Sequence, residues 1–299
     1  MHITACGGAN IDTISMLECN PKAFEGEFKI EESRTECGGS AANFACASSR
    51  LGAKTIFVGC VGKDEEALLV KKNLRKFGVI TSHLQEDRRS PTGRVFIFVA
   101  QSGEKVMLSS DGANRSLRFR KVDKKFLGES NLIHVSKTRP DFASDAASFA
   151  RKRAIPFSFD PGRMAGAGYS KLKSILEMTD FLFPNEREVF LLTGRNPRDG
   201  TERLSRIVGL CITKIGKGGC VVGRNGKVYR EKGFPVTPID TTGAGDIFDA
   251  SFIFHHLLGE DILESARFAN ASAALSTTRT GGMSCFPRTR IERFMQKGL

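Results

Sequence analysis

The sequence predicts a three-layer α/β/α domain with a mainly parallel central sheet, carrying a small antiparallel β lid. Three observations lead there. Short apolar runs recur with amphipathic segments of helical period between them, the rhythm of βαβ units whose sheet is covered on both faces. Two stretches break that rhythm with strand-like alternation. No internal repeat, low-complexity tract or Pro/Gly/Ser-rich linker sets those stretches apart, so they read as insertions into one domain rather than a second folding unit. The main domain is assigned to residues 1–12, 35–90 and 110–299, and the lid to 13–34 and 91–109.

In chain order, the run Ile56 to Gly62 (IFVGCVG) reads as a buried strand. Asp64 then caps a helix in which Leu68, Leu69, Leu74 and Phe77 fall at helical spacing, and Gly78 ends it. Further strands are expected at LIHVSK from Leu132, IPFSFDP from Ile155, DFLFPN from Asp180 and LCITKIG from Leu210, each with a helix before or after it. In sheets of this kind ligands bind beyond the carboxyl ends of the strands, so the residues just after each strand matter most. The two irregular stretches are Thr13 to Thr35, and TGRVFIFVAQSGEKVMLSS after Pro91 with a turn at Ser102 and Gly103. Both read as antiparallel strands of a small sheet that covers the site.

Composition narrows the class. With 40% hydrophobic and 26% charged residues in 299, the chain can bury a full core. No apolar run approaches the roughly 20 residues that span a bilayer. The start MHITACGGANIDTI lacks the basic region and apolar stretch of a secretory signal, so a cytoplasmic location and no membrane partner are expected. The eight cysteines show no C-x-x-C spacing and are expected to be mostly buried thiols. The net charge of +12 points to polyanionic partners, but the basic residues are scattered among acids without an aromatic-basic box, zinc-finger spacing or basic arm. That favours small phosphorylated ligands over nucleic acid. The five histidines form no cluster, and His255 and His256 suit the last turn of a helix.

The stretch richest in chemistry is Asp240-Thr-Thr-Gly-Ala-Gly-Asp246-Ile-Phe-Asp-Ala-Ser-Phe. After Gly243, Ala244 and Gly245, the residues Ile247, Phe248, Phe252, Phe254, Leu257 and Leu258 suit a largely buried helix that Gly259 stops. A helix that starts at the glycines offers free backbone N–H groups and the positive end of its dipole to an anion. Asp246 falls in the first turn, beside whatever those amides hold. Phosphoryl transfer needs such a pair: amides to neutralise the moving group and a carboxylate to orient and deprotonate the attacking hydroxyl. Taken alone, Asp246 is equally well explained as the acid that helix N-termini favour.

Asp240 to Ile253 closely resembles the second signature of the ribokinase (PfkB) family of carbohydrate kinases, and the rest of the chain extends the likeness. Gly38-Gly39-Ser-Ala-Ala-Asn43 through Leu51-Gly52, followed by Val58-Gly59-Cys-Val-Gly62-Lys-Asp64, resembles the first signature. Asp111 to Asn114, Asn185-Glu-Arg-Glu188, Lys214-Ile-Gly216-Lys-Gly-Gly219 and Phe268-Ala-Asn270-Ala complete the order, and Ser251 stands where the signature usually has Ala or Gly. The resemblance implies the ribokinase-like fold and ATP-dependent phosphorylation of a sugar hydroxyl, with ribose or a similar furanose as acceptor and Asp246 as base. It assigns the Gly243, Ala244 and Gly245 amides to the anion hole, and Asp12, Gly38, Gly39 and Asn43 to the sugar. Lys214, Gly216, Gly219 and Asn270 fall to the nucleotide. Asn185 and Glu188 would organise Mg2+ and its water around the phosphates, with Glu188 acting indirectly. Many relatives also bind a monovalent cation such as K+, matched here by Asp240, Thr242, Ser276, Arg279, Gly281 and Cys285, where Cys285 replaces a hydroxyl. A homodimer through the lid is a further expectation. A nucleoside kinase of the same family is the alternative, with Phe96 and Phe98 of the lid placed to stack on a base or fill a core. A non-catalytic sugar- or nucleotide-binding regulator is a lesser alternative, at odds with the presence of Asp246. A dinucleotide-dependent oxidoreductase is disfavoured because Gly7-Gly-Ala-Asn-Ile-Asp12 is not G-x-G-x-x-G.

Overall fold

The computed structural model describes residues 1–17, 27, 29–101 and 104–297. Cys19, most of the connection between the first two lid strands and the Ser102–Gly103 turn lie outside the described residues. The strands are β1 (His2–Gly7), β2 (Asn10–Leu17), β3 (Ile30–Gly38), β4 (Lys54–Val58), β5 (Cys60–Gly62), β6 (Gln85–Asp87), β7 (Gly93–Ala100), β8 (Lys105–Ser110), β9 (Leu132–Ser136), β10 (Phe157–Asp160), β11 (Phe181–Leu182), β12 (Leu210–Lys214), β13 (Cys220–Arg224) and β14 (Lys227–Glu231). The helices are α1 (Ser40–Leu51), α2 (Glu65–Lys76), α3 (Lys124–Leu127), α4 (Pro140–Lys152), α5 (Tyr169–Leu176), α6 (Glu186–Thr193), α7 (Pro197–Leu204), α8 (Ala244–Leu257), α9 (Ile262–Ser276) and α10 (Arg288–Lys297).

The main sheet runs β14-β13-β12-β11-β10-β9-β1-β4, parallel from β12 to β4 and antiparallel at the β12-β13-β14 edge. Its strands from β4 to β12 are buried on both faces, which is why they read as continuous apolar runs rather than as alternation, while the edge strand β14 is largely exposed. One face packs on α1, α8 and α9 through Phe44, Phe252 and Phe268, and the other on α4 and α5 through Phe142, Phe157, Phe159 and Leu172. Helix α8 is buried from Ile247 to Phe254, and its position between α1 and α9 fixes where its N-terminus opens. Among the described residues no helix is long and apolar enough to cross a membrane.

The small sheet runs β3-β2-β7-β8. Its two hairpin pairings are antiparallel, while β2 and β7 pair in parallel, Asn10 opposite Gly93 and Leu17 opposite Ala100. Alternation reports which face a residue uses and carries no sign of strand direction, so the parallel seam left no trace in the sequence.

Two local readings need correction. Ile56 to Gly62 is not one strand: it breaks at Gly59, and β5 leaves the main sheet to pair with β6. A Cβ at Gly59 would lie 2.5 Å from the Phe57 ring and 2.9 Å from the Gly7 carbonyl, so only glycine allows the chain to turn that tightly. In α2, capped as expected by Asp64 accepting from the Ala67 N–H, the buried face is Ala67, Val70 and Leu74, while Leu68 and Leu69 are 65% and 49% exposed. Of the large apolar residues expected on the core stripe, Leu74 is buried, and the small Ala67 and the branched Val70 join it in place of Leu68 and Leu69. Leu258 is likewise exposed, just beyond the end of α8. The described cysteines are free thiols; five are buried, and Cys37 and Cys285 are partly exposed.

Candidate active site

Helix α8 begins after Gly243, whose φ of 74° and whose distance to Gly282 (a Cβ would lie 2.1 Å from the Gly282 carbonyl oxygen) leave no room for a side chain. The helix therefore starts on small residues, of which Ala244 and Gly245 line a cleft of about 1080 Å3, with the Ala244 N–H turned back to the Thr241 carbonyl at 3.3 Å. Asp246, the third helical residue, lines the same cleft and accepts a 2.7 Å hydrogen bond from Asn43 Nδ2. Burial first, and then the charge of Asp160, push its pKa up to about 6.

Lys214, Asn185, Glu188, Gly216, Gly219 and Asn270 line this cleft with Ala244, Gly245 and Asp246, so residues from Asn185 to Asn270 converge at the carboxyl ends of the strands. Asn270, nearly buried, donates to the Glu231 and Lys232 carbonyls (3.4 and 3.2 Å) and holds the adjoining edge. Asn185 caps α6: its Oδ1 accepts from the Glu188 N–H (3.0 Å), while Glu188 takes the Asn185 N–H (2.9 Å) and Nδ2 (2.8 Å) on its two oxygens. Burial and the charge of Asp160 raise Glu188 to about 7.

Sequence reasoning missed a buried charge cluster here. Lys214 Nζ lies 3.0 Å from Asp160 Oδ2 and 2.9 and 3.1 Å from the two Asp249 oxygens. Burial works against the ammonium, but Asp160 and Asp249 hold its pKa above the usual lysine value. Burial drives the Asp249 pKa up; burial also works against the Asp160 carboxylate, but the Lys214 charge and hydrogen bonding outweigh it and hold the Asp160 pKa below the usual value. Asp160 was visible as the aspartate ending a strand run, FDP, and Asp249 as an acid inside an otherwise apolar helix. His134 belongs to the core, stacked on Phe44 at 3.7 Å with Nδ1 2.9 Å from Ser158 Oγ.

The expected acceptor residues form a second group, joined to the first by the Asn43–Asp246 bond. Asp12 lies within β2 rather than in a turn, nearly buried, with Asn10 Nδ2 donating to it at 3.3 Å. Gly38 is packed against it: a Cβ there would lie 2.1 Å from Asp12 Oδ2. Gly39, at φ 105°, sits where a Cβ would meet the Gly8 carbonyl oxygen at 2.5 Å. Asn114 braces this wall through Ala9, accepting from its N–H (3.1 Å) and donating to its carbonyl (2.9 Å).

The third expected group lies behind the start of α8. Asp240 Oδ1 accepts from Thr242 N (3.0 Å) and Oγ1 (2.7 Å), and Oδ2 from the Gly281 N–H (3.1 Å). Two cations of the small sheet also reach it: Arg34 at 3.7 Å and Lys105 at 3.6 Å. Ser276 Oγ donates to the Ala273 carbonyl, and Arg279 stacks on Phe286 at 4.7 Å beside Cys285.

Comparison with known proteins fits this arrangement. The profile of the pfkB family of carbohydrate kinases matches residues 2–289. The chain is 31% identical over 299 residues to an ATP-dependent ribose-1-phosphate kinase of Halopiger xanaduensis, covering 99% of each. It is 31% identical over 265 residues to a ribokinase of Haemophilus influenzae, covering 85% of each. Among solved structures, Arabidopsis thaliana ribokinase complexed with ribose and ATP superposes with a TM-score of 0.88 at 25% identity, over 99% of this chain and 98% of that one.

Proposed function

This chain belongs to the pfkB family of carbohydrate kinases, and on that premise we propose that its cleft transfers the γ-phosphoryl group of ATP to a hydroxyl of a pentofuranose, with Asp246 as the base. The observation that carries the assignment is the position of Asp246. Its carboxylate stands in the first turn of α8, on the cleft, and is bonded through Asn43 to the wall that holds Asp12. Asp12 grips a vicinal diol and Asn43 orients the attacking hydroxyl toward Asp246, which accepts its proton as the phosphorus–oxygen bond forms. The amides of Gly243, Ala244 and Gly245 take up charge on the transferring group, and ADP leaves with the electrons of the broken bond. Gly216, Gly219 and Asn270 shape the nucleotide end. Lys214 holds Asp160 and Asp249 in place there. The names of the relatives, a ribose-1-phosphate kinase and ribokinases, favour a ribose framework over a nucleoside.

The cleft suits Mg2+. It presents Asp160, Glu188 and Asp246 against one lysine already engaged by two carboxylates, and burial first, then the charge of Asp160, raises the pKa values of Glu188 and Asp246. Among the described residues no group of three or more His, Cys, Asp or Glu cages a metal; Mg2+ commonly keeps several waters and borrows few protein ligands. Asp160 and Glu188 would hold it, Glu188 through water because both its oxygens serve the cap. When bound, Mg2+ supplies neutralising charge on the phosphates.

The small sheet acts as a lid, its Arg34 and Lys105 reaching Asp240 behind the start of α8. These two ammonium and guanidinium groups meet the charge demand that a monovalent cation such as K+ would meet at Asp240. Phe96 and Leu108 are paired neighbours and exposed, which supports a homodimer through this sheet. The enzyme works where ATP is held, in the cytoplasm. The test is a panel of pentoses, pentose phosphates, hexoses and nucleosides with Mg-ATP, repeated with Asp246→Asn. Turnover of a pentose that Asp246→Asn abolishes supports the reading, and turnover that survives the substitution sinks it.

A further inference from the structure

We propose that Lys214 is a catalytic residue for the transfer itself, its ammonium joining the α8 amides against the oxygens of the moving phosphoryl group, and that Asp249 is the residue that positions it. This rests on the phosphoryl-transfer reading above and deepens it: a cation of the chain, aimed by an acid inside α8, stabilises the transition state rather than the bound nucleotide.

Lys214 is the last residue of β12, and its backbone N–H is tied to the Pro184 carbonyl at 2.9 Å, so its side chain leaves from the carboxyl end of the sheet. From there it reaches the start of α8: a Cβ on Gly245 would lie 3.5 Å from Nζ, 3.8 Å from Cδ and 3.9 Å from Cε. Because Gly245 has no side chain, the ammonium and the first turn of α8 share one stretch of the cleft wall. The Lys214 side chain keeps 14% exposure, whereas that of Asp249 keeps 1%. The lysine is thus open to the cleft while the acid behind it is not.

The donors add up to the same end. An ammonium has three N–H groups. Asp160 Oδ2 takes one at 3.0 Å, and the two Asp249 oxygens at 2.9 and 3.1 Å fit a second shared between them, which leaves the third for the cleft. Burial opposes the charge, but Asp160, Asp249 and Glu188 outweigh it, so Lys214 remains an ammonium at neutral pH. Burial and Asp160 raise the pKa values of Asp246 and Glu188, and the charge of Lys214 acts against that rise on both, so the ammonium is within electrostatic reach of the base and of the phosphate-side pair.

The anion hole has use for such a cation. The Ala244 N–H, one of the three amides expected to meet the phosphate, is turned to the Thr241 carbonyl at 3.3 Å. Asp246 and Asp160 line the same cleft, so neutral amides alone would leave the charge that builds on the transferring oxygens short of positive partners. An ammonium fixed in advance by two carboxylates costs no reorganisation at the moment of transfer. In the step, the acceptor oxygen bonds to phosphorus as Asp246 takes its proton, and the bond to ADP breaks with its electron pair on the leaving oxygen. Lys214 keeps its three protons throughout and donates one hydrogen bond to the transferring group.

The experiment uses the full-length enzyme with the pentose or pentose phosphate that the panel above turns over fastest. Steady-state kinetics with Mg-ATP are set beside calorimetric titration of Mg-ADP with and without aluminium fluoride, whose ADP complex imitates the transferring group. In the double variant Lys214→Gln with Asp249→Asn, a neutral pair replaces the ion pair, so no unpaired charge is left at Asp249. Its kcat should fall about 10²-fold and the tightening by aluminium fluoride should vanish, while Mg-ADP alone binds within about 3-fold of native. Asp249→Asn alone keeps the lysine but slackens its aim, and should cost about 10-fold in both kcat and tightening with the KM for ATP unmoved. Equal weakening of Mg-ADP and of its aluminium fluoride complex in either variant would make Lys214 merely structural and overturn the proposal, as would a kcat within about 3-fold of native. Should the double variant not fold, Asp249→Asn decides by the same two measurements. A native enzyme that turns over no acceptor sinks the kinase reading and this proposal together, whereas native turnover with unaffected variants sinks the proposal alone.

Discussion

Replacing Asp246 by Asn is expected to make the protein more stable and almost inactive, and the two effects share one cause. The substitution is isosteric and keeps the Asn43 contact, because the new amide oxygen can accept the same 2.7 Å bond. In the native fold, burial and then Asp160 push this carboxyl from an ordinary 3.8 to about 6. The folded state therefore holds the proton more tightly than the unfolded chain. Below pH 3.8 both states are protonated and nothing is lost; the cost grows between 3.8 and about 6 and is complete above it. At about 1.4 kcal/mol per pKa unit, the upper bound is about 3 kcal/mol, and solvent screening of a half-buried group reduces it to roughly 1–2 kcal/mol. Asp246→Asn should thus gain about 1–2 kcal/mol at pH 8, a rise of a few degrees in Tm, and almost nothing at pH 4. In parallel kcat should fall at least about 10²-fold with nucleotide affinity little changed. The wild-type kcat/KM should climb with pH through about 6 to a plateau, since only the ionised carboxylate accepts a proton. Urea denaturation at the two pH values, with steady-state kinetics and nucleotide titration, checks all of this. A variant no more stable than wild type at pH 8, or one retaining kcat within a few-fold, would refute the argument.

Other outcomes follow from neighbouring geometry. Lys214→Met leaves Asp160 and Asp249 buried without their cation and should cost about 3–5 kcal/mol in urea unfolding. Gly38→Ala drives a methyl toward Asp12 Oδ2 and should raise the acceptor KM at least about 10-fold while leaving ATP binding unchanged, as steady-state kinetics would show. Gly243→Ala combines a left-handed φ with a 2.1 Å approach to the Gly282 carbonyl, so both Tm and kcat should drop. The double change Arg34→Gln with Lys105→Gln removes two half-exposed pairs and should alter stability by less than about 1 kcal/mol, yet make activity dependent on added K+, read by comparing potassium with choline buffers.

Much of the fold was legible because buried parallel strands and amphipathic helices write themselves into local sequence. Asp64, Gly243 and Gly259 punctuate as expected for the same reason: caps and breaks are properties of a few adjacent residues. What was not legible depends on distance along the chain. Lys214 meets partners 54 and 35 residues away, and no local pattern announces which acids a lysine will find. Lys137 looked like the ordinary end of a strand run, because its φ of 43° and its place beside the charge of Asp12 exist only in the folded chain, where β1 and β9 are side by side. The Asn185–Glu188 pair illustrates a different difficulty. One spacing served two readings, a capping box and a phosphate-side pair, and the folded geometry forms the box while leaving both residues on the cleft wall.

The route the chain takes into the small sheet has a mechanical consequence. Only Gly8 and Ala9 separate β1 from β2, and only Gly39 separates β3 from α1. Both joints are pinched, as the close approach of Gly39 to the Gly8 carbonyl shows. On the proposed reading the flap and the grip on the acceptor would be one lever with its fulcrum at the sugar: a molecule seated against Asp12 would pull on the strand that carries it, and a poorly seated one would have no purchase. Selectivity and guarding against wasteful ATP hydrolysis then come from the same two short joints.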